Sequence, residues 1–268
     1  MTTTRIAVRA GHPRAHVDLV VGALAPRLVG RTSCTAHVAL SAAGMLLLGG
    51  DLVHVEVDVG PDCTLELEDV GGMVAYHAPR SASQWTLDVR VGSGGTLLWR
   101  ALPLVVADGA RVERRTAIDL DKGGCAVIRE TVVLGRQDET GGSLTSRVSI
   151  TNPDGPVLYE NLDVDGAFPE PGILGSVRVL DAVIAVGFRP DPEPGAMLLD
   201  QPGAVARHLG NLTHESPMDD VWTTWSEMAK ASSVPPVTTA VPLVTTAVPL
   251  TAGELSSPRE VDSVRAVE

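Results

Sequence analysis

The chain has 268 residues, of which 44% are hydrophobic and only 3% aromatic, and its formal net charge is −12. This length and apolar share suffice for one large all-β domain or two small domains, and they exclude a chain that is disordered throughout. The acidic balance excludes the binding of nucleic-acid phosphates as a main role, because that role needs a basic surface.

Alternation of apolar and polar residues is the dominant pattern. It runs through Val53–Val59, Leu65–Leu67, Leu87–Val91 and Thr116–Leu120. A period of two residues predicts half-buried β-strands, and turn sequences such as Gly60-Pro61-Asp62 separate them. The arginine-rich stretch Arg111–Arg115, which Glu113 interrupts, is interpreted as the solvated side of one such strand.

A short glycine-led motif recurs every 15 residues in the middle of the chain. Its copies are Gly94-Gly95-Thr96-Leu97, Gly109-Ala110-Arg111-Val112 and Gly124-Cys125-Ala126-Val127. Fifteen residues accommodate about two short strands with their turns, and no helical period lies between them. We therefore predict a mostly β fold, a β-helix-like stack of short antiparallel strands and hairpins.

Helical patterns come only near the C-terminus, where one or two short helices are predicted. The first covers Asp200–Leu209 and is closed by Gly210. The second covers Val221–Ala229 and begins at a capping residue, Asp219 or Asp220.

The second predicted helix carries its large side chains on one face. They are Trp222, Trp225 and the adjacent Met228 and Ala229. A face this apolar on so short a helix needs a partner surface. That surface is either this protein's own sheet or another subunit.

The composition changes abruptly after Lys230. The seven residues Val237–Leu243 are repeated letter for letter at Val244–Leu250, with a proline in each copy. Proline-rich repeats without core-forming periodicity are typical of extended segments. The sequence therefore predicts a single β domain at residues 1–230 and a disordered tail rich in proline, threonine and valine at 231–268.

Cysteine usage and the N-terminus both favour the cytoplasm. The three cysteines, Cys34, Cys63 and Cys125, are odd in number and show no CxxC spacing, which is typical of a reducing compartment. No apolar segment resembles an export signal or is long enough to span a bilayer.

No pattern for catalysis or tight ligand binding stands out. Gly92-Ser93-Gly94 is interpreted as a hairpin loop, and no glycine run ends in Gly-Lys-Ser/Thr, so GTP or ATP binding by this chain is not predicted. His54 and Glu56 share one strand face without a second ligand pair. His12 and His16 lie four residues apart, also without one. No catalytic residue and no tight metal site is predicted.

Between about residues 45 and 165 a series of motifs occurs in a fixed order. A GGD element precedes the first valine strand, a glycine-led strand ends in Trp99, a GAR…RT…DL pattern follows, and then a GR turn. In this succession the chain resembles the UreD (UreH) family of urease accessory proteins. The resemblance extends more loosely to about residue 230, where the sequence is similar to the actinobacterial members of the family. The motif residues that it identifies are Gly49, Gly50, Asp51, Gly109, Arg111, Gly135 and Arg136.

The chain departs from the family pattern at several places. The family's N-terminal strands are poorly matched before residue 40, and the tail lies outside the pattern. Tyr76-His77 stands where a Tyr-Arg pair is usual, and Pro103 stands alone in place of a proline pair. Glu139 and Gly141-Gly142 replace a Gly-Glu after the GR turn. Partner surfaces in these regions are expected to differ.

The resemblance implies a non-enzymatic scaffold for urease maturation. It implies binding to apo-urease and to the accessory proteins UreF and UreG, with GTP hydrolysed by UreG and not by this chain. It implies nickel only in transit, through a channel in the protein, and no tightly bound cofactor. Neither a nucleic acid nor a membrane is implied as a partner.

A route for nickel should hold the ion weakly. Micromolar affinity already corresponds to about 8 kcal/mol, and clustered histidine or cysteine ligands would trap the ion. Scattered carboxylates near turns or strand ends fit better, and the residues considered for a transient nickel path are Asp51, Asp119 and Glu130. For docking of a partner protein, Trp222 and Trp225 are considered.

Two other classes of function remain open. One is a β-rich metal-dependent hydrolase whose ligands converge only in three dimensions, with His54, His77 and Glu130 as the first to test. The other is a purely structural β-solenoid or adhesion module, which the lack of an export signal disfavours.

Overall fold

The computed structural model describes residues 3–44, 47–77 and 81–232. In these ranges the chain forms seventeen strands, a 3₁₀ turn at Thr213–Glu215 and one α-helix, α1, at Met218–Ser232. The predicted tail lies outside the described residues except for its first two residues, which belong to α1. The strands are β1 Thr4–Arg9, β2 His16–Val20, β3 Leu24–Arg31, β4 Thr35–Ala42, β5 Leu52–Val59, β6 Thr64–Asp69, β7 Met73–Ala75, β8 Ser83–Val91, β9 Thr96–Arg100, β10 Leu104–Val106, β11 Arg111–Leu120, β12 Cys125–Leu134, β13 Ser143–Asn152, β14 Gly155–Asp165, β15 Val179–Val186, β16 Met197–Leu198 and β17 Gly203–Gly210.

From β4 to β13 the chain passes back and forth between two sheets. Sheet I has the order β14-β13-β11-β8-β5-β1-β2, and sheet II has the order β16-β17-β15-β12-β9-β6-β4-β3. Strands β5, β8, β11 and β13 are parallel neighbours in sheet I, and strands β4, β6, β9 and β12 are parallel neighbours in sheet II. One strand from each sheet makes one coil. The stacked coils confirm the predicted β-helix-like stack.

The predicted strand direction is wrong for the centre of the stack. Among the described strands, antiparallel pairs occur towards its ends, such as β1 with β2, β3 with β4, and β13 with β14. The turns that we interpreted as hairpins carry the chain from one sheet to the other, as residues 92–95 do between β8 and β9. A chain that returns to a sheet after visiting the opposite one runs in the same direction each time, so its neighbours there are parallel.

The repeat of 15 residues corresponds to half a coil. Thr64, Thr96 and Cys125 occupy one register position on β6, β9 and β12. Arg111, which belongs to the middle copy of the motif, begins β11 in the opposite sheet. The first and third copies therefore stack on each other, and the second lies across the coil.

The space between the sheets is filled by aliphatic side chains. One buried ladder runs in register through sheet I and consists of Ile6, Val57, Val89, Ile118 and Ile150. Burial stabilises the fold by about 1.5–3 kcal/mol for each side chain of this kind. The apolar positions of the alternating sequence patterns face this core, which confirms the predicted strands.

One of the two predicted helices is wrong. The stretch Asp200–Leu209 contains most of strand β17, which pairs antiparallel with β15 along its whole length. Ala204, Val205 and Ala206 are buried in that pairing. Tertiary contact with an open sheet edge outweighs the weak helical preference of a short alanine-containing segment.

The second helix is confirmed as α1. Trp225 and Ala229 are completely buried, and α1 packs against β12, β15 and β17 on the outer face of sheet II. The apolar face of the helix therefore docks on this protein's own sheet. Neither α1 nor any other helix of the described residues is long and apolar enough to cross a membrane.

Candidate functional site

A charged cluster lies inside the coil, where the strands of sheet II are interrupted. Strand β6 ends at Asp69 and resumes as β7, and β9 ends at Arg100 and resumes as β10, while β12 runs on without a break. The gap after β9 frees the backbone N–H of Leu102, which donates to Asp69 Oδ2 at 3.1 Å. Trp99 Nε1 donates to Asp69 Oδ1 at 3.2 Å. Asp69 is thus a buried, hydrogen-bonded carboxylate with 9% of its surface exposed.

Arg114 reaches into the same interior from the opposite sheet. Val112 and Thr116, two residues away on either side along β11, are buried, and Arg114 shares their face. Its guanidinium forms an ion pair with Glu130 on β12, and the two side chains are only 11% and 14% exposed. We call Asp69, Arg114 and Glu130 the lumen cluster.

The lumen cluster borders a small cavity of about 30 Å³. Its walls include Asp69, Arg114 and Glu130 and the rings of Trp85 and Trp99. A cavity of this size has room for about one water molecule. The interior therefore combines oxygen ligands, a cation and room for solvent within an otherwise aliphatic core.

Burial sets the charge state of the cluster. It raises the pKa of Asp69 to about 6, against the two hydrogen bonds that stabilise the carboxylate. It lowers the pKa of Arg114 to about 10, and the nearby Asp69 carboxylate opposes that shift. Near neutral pH, Arg114 therefore stays cationic.

A second cavity, of about 10 Å³, touches Glu130 from the other side. Thr116 lines it, and the buried Thr116 Oγ1 makes no hydrogen bond to the part of the chain that the structure describes. Glu130 is the charged residue that borders both cavities. Apart from Thr116 and Glu130, the residues that line this second cavity are aliphatic.

Apart from Arg111, which is the first residue of β11, the motif residues lie between strands where the chain crosses from sheet II to sheet I. Gly109 has φ +70°, and a Cβ there would lie 2.0 Å from His77 Nδ1. Gly135 has φ +75°, and a Cβ there would lie 2.8 Å from the carbonyl oxygen of Glu139. Both positions require glycine for conformation and for space. Gly49 and Gly50 likewise form the turn before β5.

These turns hydrogen-bond to one another along one edge of the stack, which we call the motif edge. Asp108 Oδ1 accepts from the backbone N–H of Gly141 at 2.7 Å, and Glu139 Oε2 accepts from that of Asp108 at 3.2 Å. Glu139 also pairs with Arg136 at 2.5 Å, and these bonds lower the pKa of Glu139 to about 2. Arg111 begins the strand that leaves this edge. The family motifs therefore build corners of the coil.

The three residues considered for nickel lie in different parts of the structure. Asp51 closes a turn at the motif edge, where its Oδ2 accepts from the backbone N–H of Leu48 at 2.9 Å. Asp119 is exposed on sheet I and accepts from Thr151 Oγ1 at 2.5 Å. Glu130 alone belongs to the lumen cluster. Within the described ranges, no group of three or more His, Cys, Asp or Glu side chains is placed to hold a metal ion.

The residues considered for a hydrolase are also separated. His54 Nε2 lies 2.9 Å from Asp88 Oδ2 on the outer face of sheet I. His77 lies against Gly109 at the motif edge. Glu130 is inside the coil, so the structure does not bring the three together.

Sequence reasoning missed Asp69 and Arg114. The interpretation of Arg111–Arg115 as solvated holds for Arg111 and Arg115 but is wrong for Arg114, which faces inward. The sequence did contain a signal for both residues. Arg114 lies four residues from the inward-facing Ile118, and Asp69 lies four residues from the inward-facing Leu65, so each shares a strand face with an apolar residue. A charged residue at an apolar position of an alternating strand indicates a buried polar site.

Comparison with known proteins gives one family. The UreD urease accessory protein family matches residues 20–238, further toward the N-terminus than the motifs alone reach. Urease accessory protein UreD 1 of Streptomyces griseus is 37% identical over 69% of this chain and 74% of its own length. Urease accessory protein UreD of Streptomyces avermitilis is 32% identical over 76% of this chain and 84% of its own length. Urease accessory protein UreD of Paracoccus denitrificans is 31% identical over 80% of this chain and 82% of its own length.

Proposed function

The chain belongs to the UreD urease accessory protein family, and we propose that it is a non-catalytic urease maturation factor that helps to load nickel into apo-urease. We propose UreF- and UreG-type proteins and the urease subunits as its partners and the cytoplasm as its location. GTP is used by the UreG-type partner. The observation that carries the nickel proposal is the charged, cavity-bordering lumen cluster inside an aliphatic coil.

The chemistry of the lumen cluster suits passage of a cation better than storage. Carboxylate and water oxygens bind nickel more weakly than clustered imidazoles or thiolates. Arg114 competes with any cation for the Glu130 carboxylate, because the two already form an ion pair. A competing internal cation lowers the affinity of the site and so favours release.

One aromatic side chain of α1 is accessible to a partner protein. Trp225 is fully buried against sheet II, whereas Trp222 is only half-buried. Arg100 lies 5.8 Å from the centre of the Trp222 ring. We propose Trp222, with Arg100 stacked on it, as the point of α1 that contacts a partner.

The maturation role is tested by deleting the gene and assaying urease with and without added nickel. We expect urease protein of normal abundance with little nickel and little activity. A tagged copy of the chain, co-expressed with the urease genes, should recover urease subunits and the other accessory proteins. Full urease activity in the deletion strain without added nickel would contradict the proposal.

A further inference from the structure

Two cysteines stack on neighbouring coils at the corner opposite the motif edge. Strands β4 and β6 are parallel, with Thr35 opposite Thr64. The backbone N–H of Thr64 donates to the carbonyl oxygen of Cys34 at 2.9 Å, which is the hydrogen bond of this first pair on the Cys34 side. Cys34 and Cys63 directly precede these two paired threonines, so they are neighbours at the start of the two strands, and both are free cysteines.

This register brings the two residues within disulfide range. Neighbouring strands lie about 4.8 Å apart in the hydrogen-bonding direction. Disulfides link residues whose Cα atoms are about 4.4–6.8 Å apart. A bond between Cys34 and Cys63 therefore joins the first two coils of sheet II without a change of register.

The pairing is confined to these two coils. The backbone N–H of Thr96 donates to the carbonyl oxygen of Cys63 at 2.8 Å, which places Gly95 next in the stack. Cys125 belongs to the neighbouring register position, opposite Thr96, and is buried on the outer face of sheet II near α1. The register therefore gives Cys63 one cysteine neighbour, Cys34.

The two thiols differ in access and in reactivity. Cys34 is exposed, whereas Cys63 is 1% exposed within the core. Burial and the neighbouring Cys34 raise the pKa of Cys63, and a hydrogen bond from the backbone of Ala10 opposes the shift. An oxidant from solvent therefore meets Cys34 first, and Cys63 is held beside it as a protonated thiol.

The corner around Cys34 is held in place by backbone bonds. The N–H of Gly11 donates to the carbonyl oxygen of Ser33 at 2.9 Å, and that of Ala15 donates to Thr32 at 2.7 Å. The loop between β1 and β2 thus lies along the segment that leads to Cys34. This support keeps Cys34 in register with Cys63.

We propose that Cys34 and Cys63 form a dithiol that hydrogen peroxide converts into a reversible disulfide. Cys34 attacks peroxide as its thiolate and the O–O bond breaks, so that Cys34 becomes a sulfenic acid and the hydroxide that leaves takes up the proton lost by the thiol to give one water. The Cys63 sulfur then attacks the Cys34 sulfur and displaces its hydroxyl group, which leaves as a second water with the Cys63 proton. Two thiols are oxidised and one peroxide is reduced.

The modification is independent of the proposed role in urease maturation. It cross-links the first two coils and so ties the N-terminal end of the stack to its centre. Thiol reductants such as glutathione restore the dithiol.

Peptide mapping of the purified, reduced full-length chain tests the proposal. The protein is treated with one equivalent of hydrogen peroxide and then unfolded in guanidinium chloride with N-ethylmaleimide present, so that buried free thiols are also blocked. The digest is analysed by mass spectrometry without reduction. We expect the free thiols to fall from three to one, with a cross-linked peptide that contains Cys34 and Cys63. Dithiothreitol should restore all three.

Two variants provide matched controls. Cys34→Ser should abolish the cross-link and leave Cys63 alkylated, whereas Cys125→Ala should retain the cross-link. The proposal is overturned if wild-type Cys34 is oxidised to sulfinic acid or to an intermolecular disulfide while Cys63 stays free. Wild-type protein alone decides between these outcomes, so a folding defect in a variant does not affect the result.

Discussion

At the scale of single residues, the functional proposal depends on three charged side chains that the alternating pattern places inside the coil. Asp69, Arg114 and Glu130 occupy inward positions on β6, β11 and β12. The sequence predicts which positions face inward, so Arg114 and Asp69 were predictable from their phase. Their association was not, because it depends on which strands become neighbours and on the gap at Leu102 that supplies an extra N–H.

The stability of the protein should depend on pH through Asp69. Its pKa of about 6 lies above that of an aspartate in the unfolded chain, about 3.9. Between these values the folded state holds a proton that the unfolded state releases, so stability falls as pH rises from about 4 to 6. The full contribution is about 3 kcal/mol, since one pKa unit corresponds to about 1.4 kcal/mol.

Urea denaturation of wild type and Asp69→Asn between pH 4 and pH 7 measures this contribution. Asparagine keeps an acceptor oxygen but does not titrate. The free energy of unfolding of the variant should therefore increase relative to that of wild type as pH rises. A difference that stays constant across this range would contradict the assignment of Asp69.

Removal of the buried arginine should be far more damaging than removal of its exposed neighbour. Arg114→Met leaves Glu130 buried without its cation and is expected to cost about 3–5 kcal/mol of unfolding free energy. Arg115→Met breaks an exposed pair with Asp88 (2.8 Å) and should cost about 1 kcal/mol or less. Equal losses in chemical denaturation would show that Arg114 is not inside the coil.

At the scale of elements, the sequence predicted strands and α1 better than it predicted their pairing. Alternation locates the strands, and Asp219 and Asp220 mark the first turn of α1. Strand β17 was mistaken for a helix, because its pairing with β15 is a tertiary contact that local sequence does not encode. The parallel pairing of the central strands was missed for the same reason. A glycine-containing turn has a similar sequence in a hairpin and at a corner where the chain crosses between sheets.

Helix α1 should depend on the size of Trp225 more than on its indole nitrogen. Trp225 is completely buried, and its Nε1 makes no hydrogen bond within the described residues. Trp225→Ala should therefore cost about 3–5 kcal/mol. Trp225→Phe keeps most of the apolar contact and removes an unsatisfied donor, so it should cost much less. Chemical denaturation of both variants gives the comparison, and equal losses would contradict this packing.

At the scale of the whole molecule, the stacked coil has charged groups in its interior, and the family motifs form turns at its corners. A buried salt bridge joins β12 to β15, where Arg129 pairs with the fully buried Asp181 at 2.8 Å, and Arg129 also pairs with Asp219 of α1. The resemblance carried the prediction of function, because no local pattern in the chain indicates a chemical reaction. Family membership supports urease maturation, and the lumen cluster suggests how the coil takes part in it.

The most direct test is the nickel content of urease matured by a Glu130→Gln variant. Glu113→Gln, an exposed position on β11, is the matched control. In a strain that lacks the native gene, with both variants at wild-type abundance, we predict that urease matured with Glu130→Gln has about tenfold less nickel and activity, since a charge-assisted contact is worth about 1.5 kcal/mol or more. Glu113→Gln should support normal nickel content. Urease fully loaded with nickel by Glu130→Gln would contradict a role of the coil interior in nickel delivery.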